Sequence, residues 1–127
     1  MSVYVTTLDQ LDGQAMKLDG AAGVTLRVLI GRGHGAKNFA MRHFTVDVGG
    51  HTPLHRHNYE HQIFVLSGKG MARSNDTYRG IHAGQCLLIP SDELHEIKNT
   101  GNAPLQFICV VPLQFDCGGI CQPTPGT

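Results

Sequence analysis

The chain has no net charge to offer: ten Lys and Arg balance ten Asp and Glu across 127 residues, with histidines counted neutral. It lacks a basic stripe and a block of like charge, which argues against a nucleic-acid partner and against a charged tail. No apolar run approaches the roughly 18 residues that a bilayer-crossing helix requires, so no membrane partner is expected. The opening MSVYVTTLDQLDGQ is mixed and carries early acids, unlike a secretory signal. The expectation is a soluble cytoplasmic protein with its four cysteines reduced. Repeats and low-complexity segments are absent. Gly31 to Asn38, GRGHGAKN, is glycine-rich but has no Gly-Lys-Ser/Thr ending. It reads as a mobile connection rather than a phosphate loop. No Ser/His/Asp or Cys/His catalytic set stands out.

The length suits one domain with one core. Helical signals are weak and strand signals recur at short spacing. TLRVLI (Thr25 to Ile30), FAMRHFTVDV (Phe39 to Val48), HQIFVLSG (His61 to Gly68), QCLLIP (Gln85 to Pro90), HEIKN and LQFICVVP (Leu105 to Pro112) all read as strands. GMARSNDTYRGI alternates around a hairpin turn at Asn75-Asp76. Sixteen glycines and six prolines supply turns between them. Short strands at this spacing predict an all-β sandwich or barrel. Residues 1–22 have no clear period and read as an N-terminal arm. Residues 116–127, DCGGICQPTPGT, read as a flexible C-terminal tail carrying Cys117 and Cys121.

Four of the eight histidines fall within the eleven residues from His51 to His61. His55 and His57 are two apart, which in a strand puts both on one face about 7 Å apart. Imidazoles from there can converge on one ion at about 2 to 2.2 Å. Period-two alternation places His61, Ile63 and Val65 on a common face and turns Glu60 away. Ligands close in sequence cannot easily surround an ion alone, and His95, after the turn at Ser91-Asp92, supplies one from a separate segment.

These residues resemble the cupin superfamily in both of its motifs. Gly49, His55, His57 and Gly68 match the first; Gly84, Pro90, His95 and Asn99 match the second. Two positions depart: His61 stands where the motif has glutamate, and Asp92 where it has glycine. The resemblance covers roughly residues 24 to 112. RVLIG, NFAMRHFTV and EHQIFVLSGKG look like the small four-histidine manganese cupins. The resemblance implies a double-stranded β-helix (jelly-roll) barrel over residues 23–115, a homodimer, and a divalent ion inside the barrel. Manganese is the first expectation, with iron or nickel next.

Four neutral imidazoles leave a divalent ion with its full +2 charge, whereas three and a carboxylate leave +1. Such a site favours the lower oxidation state, attracts anions, and is lost as pH falls because bound histidines must be neutral. Two adjacent open positions on an octahedral ion accept a chelating substrate, or a substrate beside dioxygen. The leading expectation is a manganese-dependent, dioxygenase-like oxidoreductase acting on a small unsaturated or enol-type molecule. The alternatives are a non-redox lyase, isomerase or cyclase, and a small-molecule sensor without turnover. Phe44, Ile63, Val65, Phe107 and Cys109 are candidate pocket residues. Arg42 and His43 point to opposite faces, and either is a candidate for orienting substrate. Cys86 is expected in the core; Asp92 and Glu93 are expected to be solvated turn acids. His34, His51 and His82 are expected to face water.

Overall fold

The computed structural model describes residues 2–116. Cys117 and Cys121, and with them most of the expected tail, lie outside the described residues. Among the described residues nine strands dominate: β1 Gln14–Ala15, β2 Ala22–Ile30, β3 Phe39–His51, β4 His61–Ser67, β5 Lys69–Ser74, β6 Thr77–His82, β7 Cys86–Ile89, β8 His95–Asn99 and β9 Leu105–Pro112. All pairings are antiparallel, in the order β6-β5-β8-β3-β9-β4-β7, with β2 also on β3 and β1 on β2. The two ends of this order are consecutive in the chain. The β6–β7 link bonds back to β4, through Gly84 N–H on the Val65 carbonyl at 2.8 Å and Val65 N–H on the Gln85 carbonyl at 2.9 Å. The sheet therefore rolls up on itself into a jelly roll. Among the described residues no helix is long and apolar enough to cross a membrane.

Alternation decides what fills the roll. Strand β9 buries Leu105, Phe107, Cys109 and Val111 and leaves the residues between them half-buried. Strand β4 buries His61, Ile63 and Val65 and exposes Gln62, Phe64 and Leu66. The register sets Phe44 opposite Phe107 and Ile63 opposite Cys109. The Phe44 and Phe107 rings stack with centroids 5.0 Å apart. Each such ring contributes about 1.5–3 kcal/mol by leaving water. The same parity corrects one expectation. In β7, Ile89 and Leu87 turn inward, so Cys86 and Leu88 point out, and Cys86 is exposed rather than core.

Two backbone positions show why the motif residues stand where they do. Gly68 has φ +85°, and a Cβ there would meet the Pro104 carbonyl oxygen at 2.5 Å. Asp92 occupies the position of the motif's glycine and also takes a positive φ, 66°. Asp is one of the few side chains that tolerate this region. Its backbone N–H donates to the His57 carbonyl at 2.7 Å, tying the two histidine-bearing segments together.

The ends are pinned in places. Gln14–Ala15 pairs with β2, and Met16 N–H donates to the Val24 carbonyl at 2.8 Å. Asp116 is buried and pairs with Arg32 at 3.1 Å. That ion pair, with Arg32 N–H on the same carboxylate, anchors the glycine-rich Gly31–Asn38 loop.

Candidate metal centre

The His-x-His pair is not in a regular strand. Residues 52–60 form a loop with a single bridge at His55, which exchanges two backbone hydrogen bonds with His95 at 3.1 and 2.9 Å. Thr52 reinforces it: its N–H donates to the Ile97 carbonyl at 2.9 Å and its hydroxyl accepts from Ile97 N–H at 2.8 Å. The expected strand spacing is thus replaced by a pinned loop, yet the rings still converge. Ring centroids lie 4.9 Å apart for His55 and His57, 4.5 Å for His55 and His95, and 4.7 Å for His57 and His95. His61 joins them, 4.7 Å from His57 and 5.0 Å from His95. Glu60 points away, and its carboxylate accepts from Gln62 at 2.8 Å.

Three rings are oriented in the same way. The Nδ1 atoms of His55, His57 and His95 meet the carbonyls of Pro53, Tyr59 and Glu93 at 2.9, 3.0 and 3.0 Å. A carbonyl only accepts, so each Nδ1 carries the proton and each Nε2 keeps a lone pair. The Nε2 of His95 is buried without a partner. His55, His57 and His95 bring one ligand atom each within 4.8 Å of one another, a cluster able to hold a metal ion. Burial, then the neighbouring histidines, lowers His57 to about 4; burial, then Arg42, lowers His61 to about 2. Burial also lowers His95. These rings stay neutral at pH 7, as ligation requires.

His61 differs. Its Nδ1 faces the Cys109 sulfur at 3.0 Å and the Arg42 guanidinium at 3.4 Å, and its Nε2 lies 2.9 Å from His57 Nε2. Two donors at right angles on an ion with bonds of about 2.1 Å sit roughly 3 Å apart. Tyr59 stacks between the His57 and Phe115 rings, each at 3.7 Å. Burial raises its phenol and the Cys109 thiol above their ordinary ranges.

These groups border a cavity of about 50 Å³. That is room for roughly three to five waters. Phe44, Ile63, Phe107 and Cys109 line it, with Arg42, Tyr59, Met16 and Leu18. Val65, a candidate for the same wall, is fully buried in the core and is not among the lining residues. Of Arg42 and His43, Arg42 enters the cavity; His43 is on the other face, 3.0 Å from the Gln106 side chain. Sequence reasoning missed Met16 and Leu18, which lie in a segment without period, and Tyr59, which sits between two ligand candidates. Asp92 is exposed, and Glu93 is half-buried and accepts from the Ser74 hydroxyl. Of the outlying histidines, His82 is exposed, while His34 stacks on Tyr4 and His51 lies 3.9 Å from Glu96.

The family model described as "Cupin domain" matches residues 42–111, which hold all four converging histidines. The chain belongs to the cupin family. This cupin is 30% identical over 109 residues to 1-methylthio-D-xylulose 5-phosphate methylsulfurylase of Rhodospirillum rubrum, covering 84% of the chain and 69% of that protein. It is 38% identical over 66 residues to an oxalate-binding protein of Thermotoga maritima, covering 51% of the chain and 54% of that protein. Among solved structures, it resembles the polyketide cyclase RemF from Streptomyces resistomycificus, with a TM-score of 0.83 and 27% identity. That match covers 88% of this chain and 80% of that chain.

Proposed function

We propose that this cupin binds one divalent metal ion through the Nε2 atoms of His55, His57, His61 and His95 and acts on a small unsaturated or enol-type molecule in the adjoining cavity. The observation that supports it is the shared orientation of the rings: three Nδ1 protons fixed on carbonyls, with the lone pairs opposite them aimed at one place. Cys109 plays the carbonyl's part for His61, its sulfur accepting the Nδ1 proton at 3.0 Å. The orphaned His95 Nε2 then gains a partner. An all-imidazole donor set accepts manganese, iron, nickel or zinc; manganese is the proposed ion on the strength of the four-histidine resemblance.

When bound, the ion supplies Lewis-acid stabilisation of developing negative charge on a substrate oxygen. The chain's own residues supply the rest. Phe44 and Phe107 give an apolar wall, and Met16 and Leu18 add to the apolar lining.

Of the sequence-based readings, the non-redox one fits this site best. A buried thiol 3.0 Å from a proposed ligand is exposed to oxidation wherever dioxygen is activated beside it. The likeness to a polyketide cyclase supports the same side. The manganese-dependent, dioxygenase-like reading is the second, and it rests on the resemblance to the four-histidine manganese cupins. Incubating metal-loaded protein with enolisable dicarbonyl compounds, while following oxygen uptake and product masses together, separates them. The proposal expects isomeric or cyclised product without oxygen uptake. Product carrying two added oxygen atoms favours the second reading. Ligand binding without any product leaves a sensor and ends both.

A further inference from the structure

Arg42 is a cation in the wrong place for a structural residue. It is 2% exposed and stacks over the Phe44 ring at 4.9 Å. It lines the metal-side cavity. Its one acceptor is the Cys109 sulfur at 3.2 Å; His61 Nδ1, 3.4 Å away, carries a proton in the proposed tautomer and accepts nothing from it, and the Arg42 Nε has no partner at all. Among the described residues no carboxylate is ion-paired with it; the paired acids are Glu96 and Asp116, which bond to other cations. A buried guanidinium normally has its charge matched and most of its five donors filled. Here the charge is unmatched and Nε–H is unfilled, in a residue that lines the cavity.

We infer that Arg42 is a subsite for the carboxylate of a small, mostly apolar monoanion, whose other donor atom lies toward the four histidines. The inference rests on the proposed metal site for the position of that second atom, and on Arg42 alone for the charge. A planar fork of N–H groups suits a carboxylate, which it can grip with two parallel hydrogen bonds. A single guanidinium among Phe44, Ile63 and Phe107 suits one negative charge on an apolar body, not a phosphate dianion. The fork lies 3.4 Å from the Nδ1 edge of the His61 ring, whose Nε2 edge faces His57 and the proposed ion position, so the substrate's two polar ends are only a few bonds apart.

The test uses butyrate, its neutral isostere butyramide, and inorganic phosphate, titrated calorimetrically into metal-free and zinc-loaded protein. Butyrate is expected to bind about ten- to a hundredfold more tightly than butyramide in both forms, the step expected for charge-assisted over neutral hydrogen bonds. Arg42→Lys should keep part of that preference, and Arg42→Gln should abolish it with the circular dichroism unchanged. If Arg42→Gln does not fold, the Nε–H resonance of Arg42 in ¹⁵N-labelled wild-type protein gives the answer. Butyrate should shift it and butyramide should not. Equal binding of the two probes, an unmoved Arg42 resonance, or phosphate outcompeting butyrate overturns the subsite. A preference seen only with zinc and indifferent to Arg42→Gln places the anion on the ion, sinking the subsite and sparing the metal proposal. Failure of the wild-type protein to take up zinc sinks the metal proposal, and a butyrate preference that then remains, lost in Arg42→Gln, still supports the subsite.

Discussion

Metal-free protein should lose stability steeply as it is acidified, from near-neutral pH downward. In the folded chain burial holds His57 at about 4 and His61 at about 2. In the unfolded chain both return to the ordinary value of roughly 6.5. Above that value the rings are neutral in both states and contribute nothing to the pH dependence. Below it the unfolded chain binds protons that the folded chain refuses, so stability falls with pH. The loss begins near 6.5 and ends at about 4 for His57 and about 2 for His61. A fully buried histidine contributes about 1.4 kcal/mol per pH unit in this window. His61, 9% exposed, approaches that figure, and His57, half-buried, falls short of it because water screens its charge. Together they give about 2 kcal/mol per pH unit, against a total stability of roughly 5–15 kcal/mol. Urea unfolding of chelator-treated protein at about pH 7.5, 6.5, 5.5 and 4.5, with the slope on urea unchanged, measures this directly. Stability that is flat from pH 7.5 to 5 would refute the burial of neutral imidazoles at this site.

Three other outcomes are expected. Cys109→Val removes the acceptor of the His61 Nδ1 proton and should weaken metal binding about ten- to a hundredfold in competition titrations with a chelator; unchanged affinity would show that His61 is oriented by something else. Phe107→Ala opens a void beside Phe44 and should cost about 3–5 kcal/mol in urea unfolding, while a cost below 1 kcal/mol would mean the wall collapses freely. The homodimer implied by the resemblance is proposed to use the outer face of β4 and β7, where Phe64 and Leu88 are 43% and 62% exposed. Sedimentation should show wild-type dimer and Leu88→Glu monomer of equal thermal stability; monomeric wild type would end that assignment.

The strands and the four histidines were legible because both depend on spacing. Period-two alternation in LQFICVVP gives the buried face of β9 residue for residue. The two motif spacings carry His55, His57, His61 and His95 into one cluster even though His-x-His lies in a pinned loop and not in a strand. Spacing says less about which face of a strand turns inward when both faces are apolar. In β7, Cys86, Leu87, Leu88 and Ile89 offer no polar residue to break the tie, and only pairing with β4 decides it. Segments without a period were opaque for the same reason. Met16 and Leu18 reach the cavity through a two-residue pairing on β2 that no pattern announces. Arg42 was visible as one of two adjacent candidates, but its lack of a carboxylate partner is a property of three dimensions alone.

The most direct test of the central claim is anomalous diffraction at the metal edge, from crystals of protein purified without chelator or nickel resin. The account predicts one peak per chain, bonded at about 2.0–2.2 Å to the Nε2 atoms of His55, His57, His61 and His95. A peak held by other residues, or metal-saturated crystals with no peak among these four rings, would contradict it.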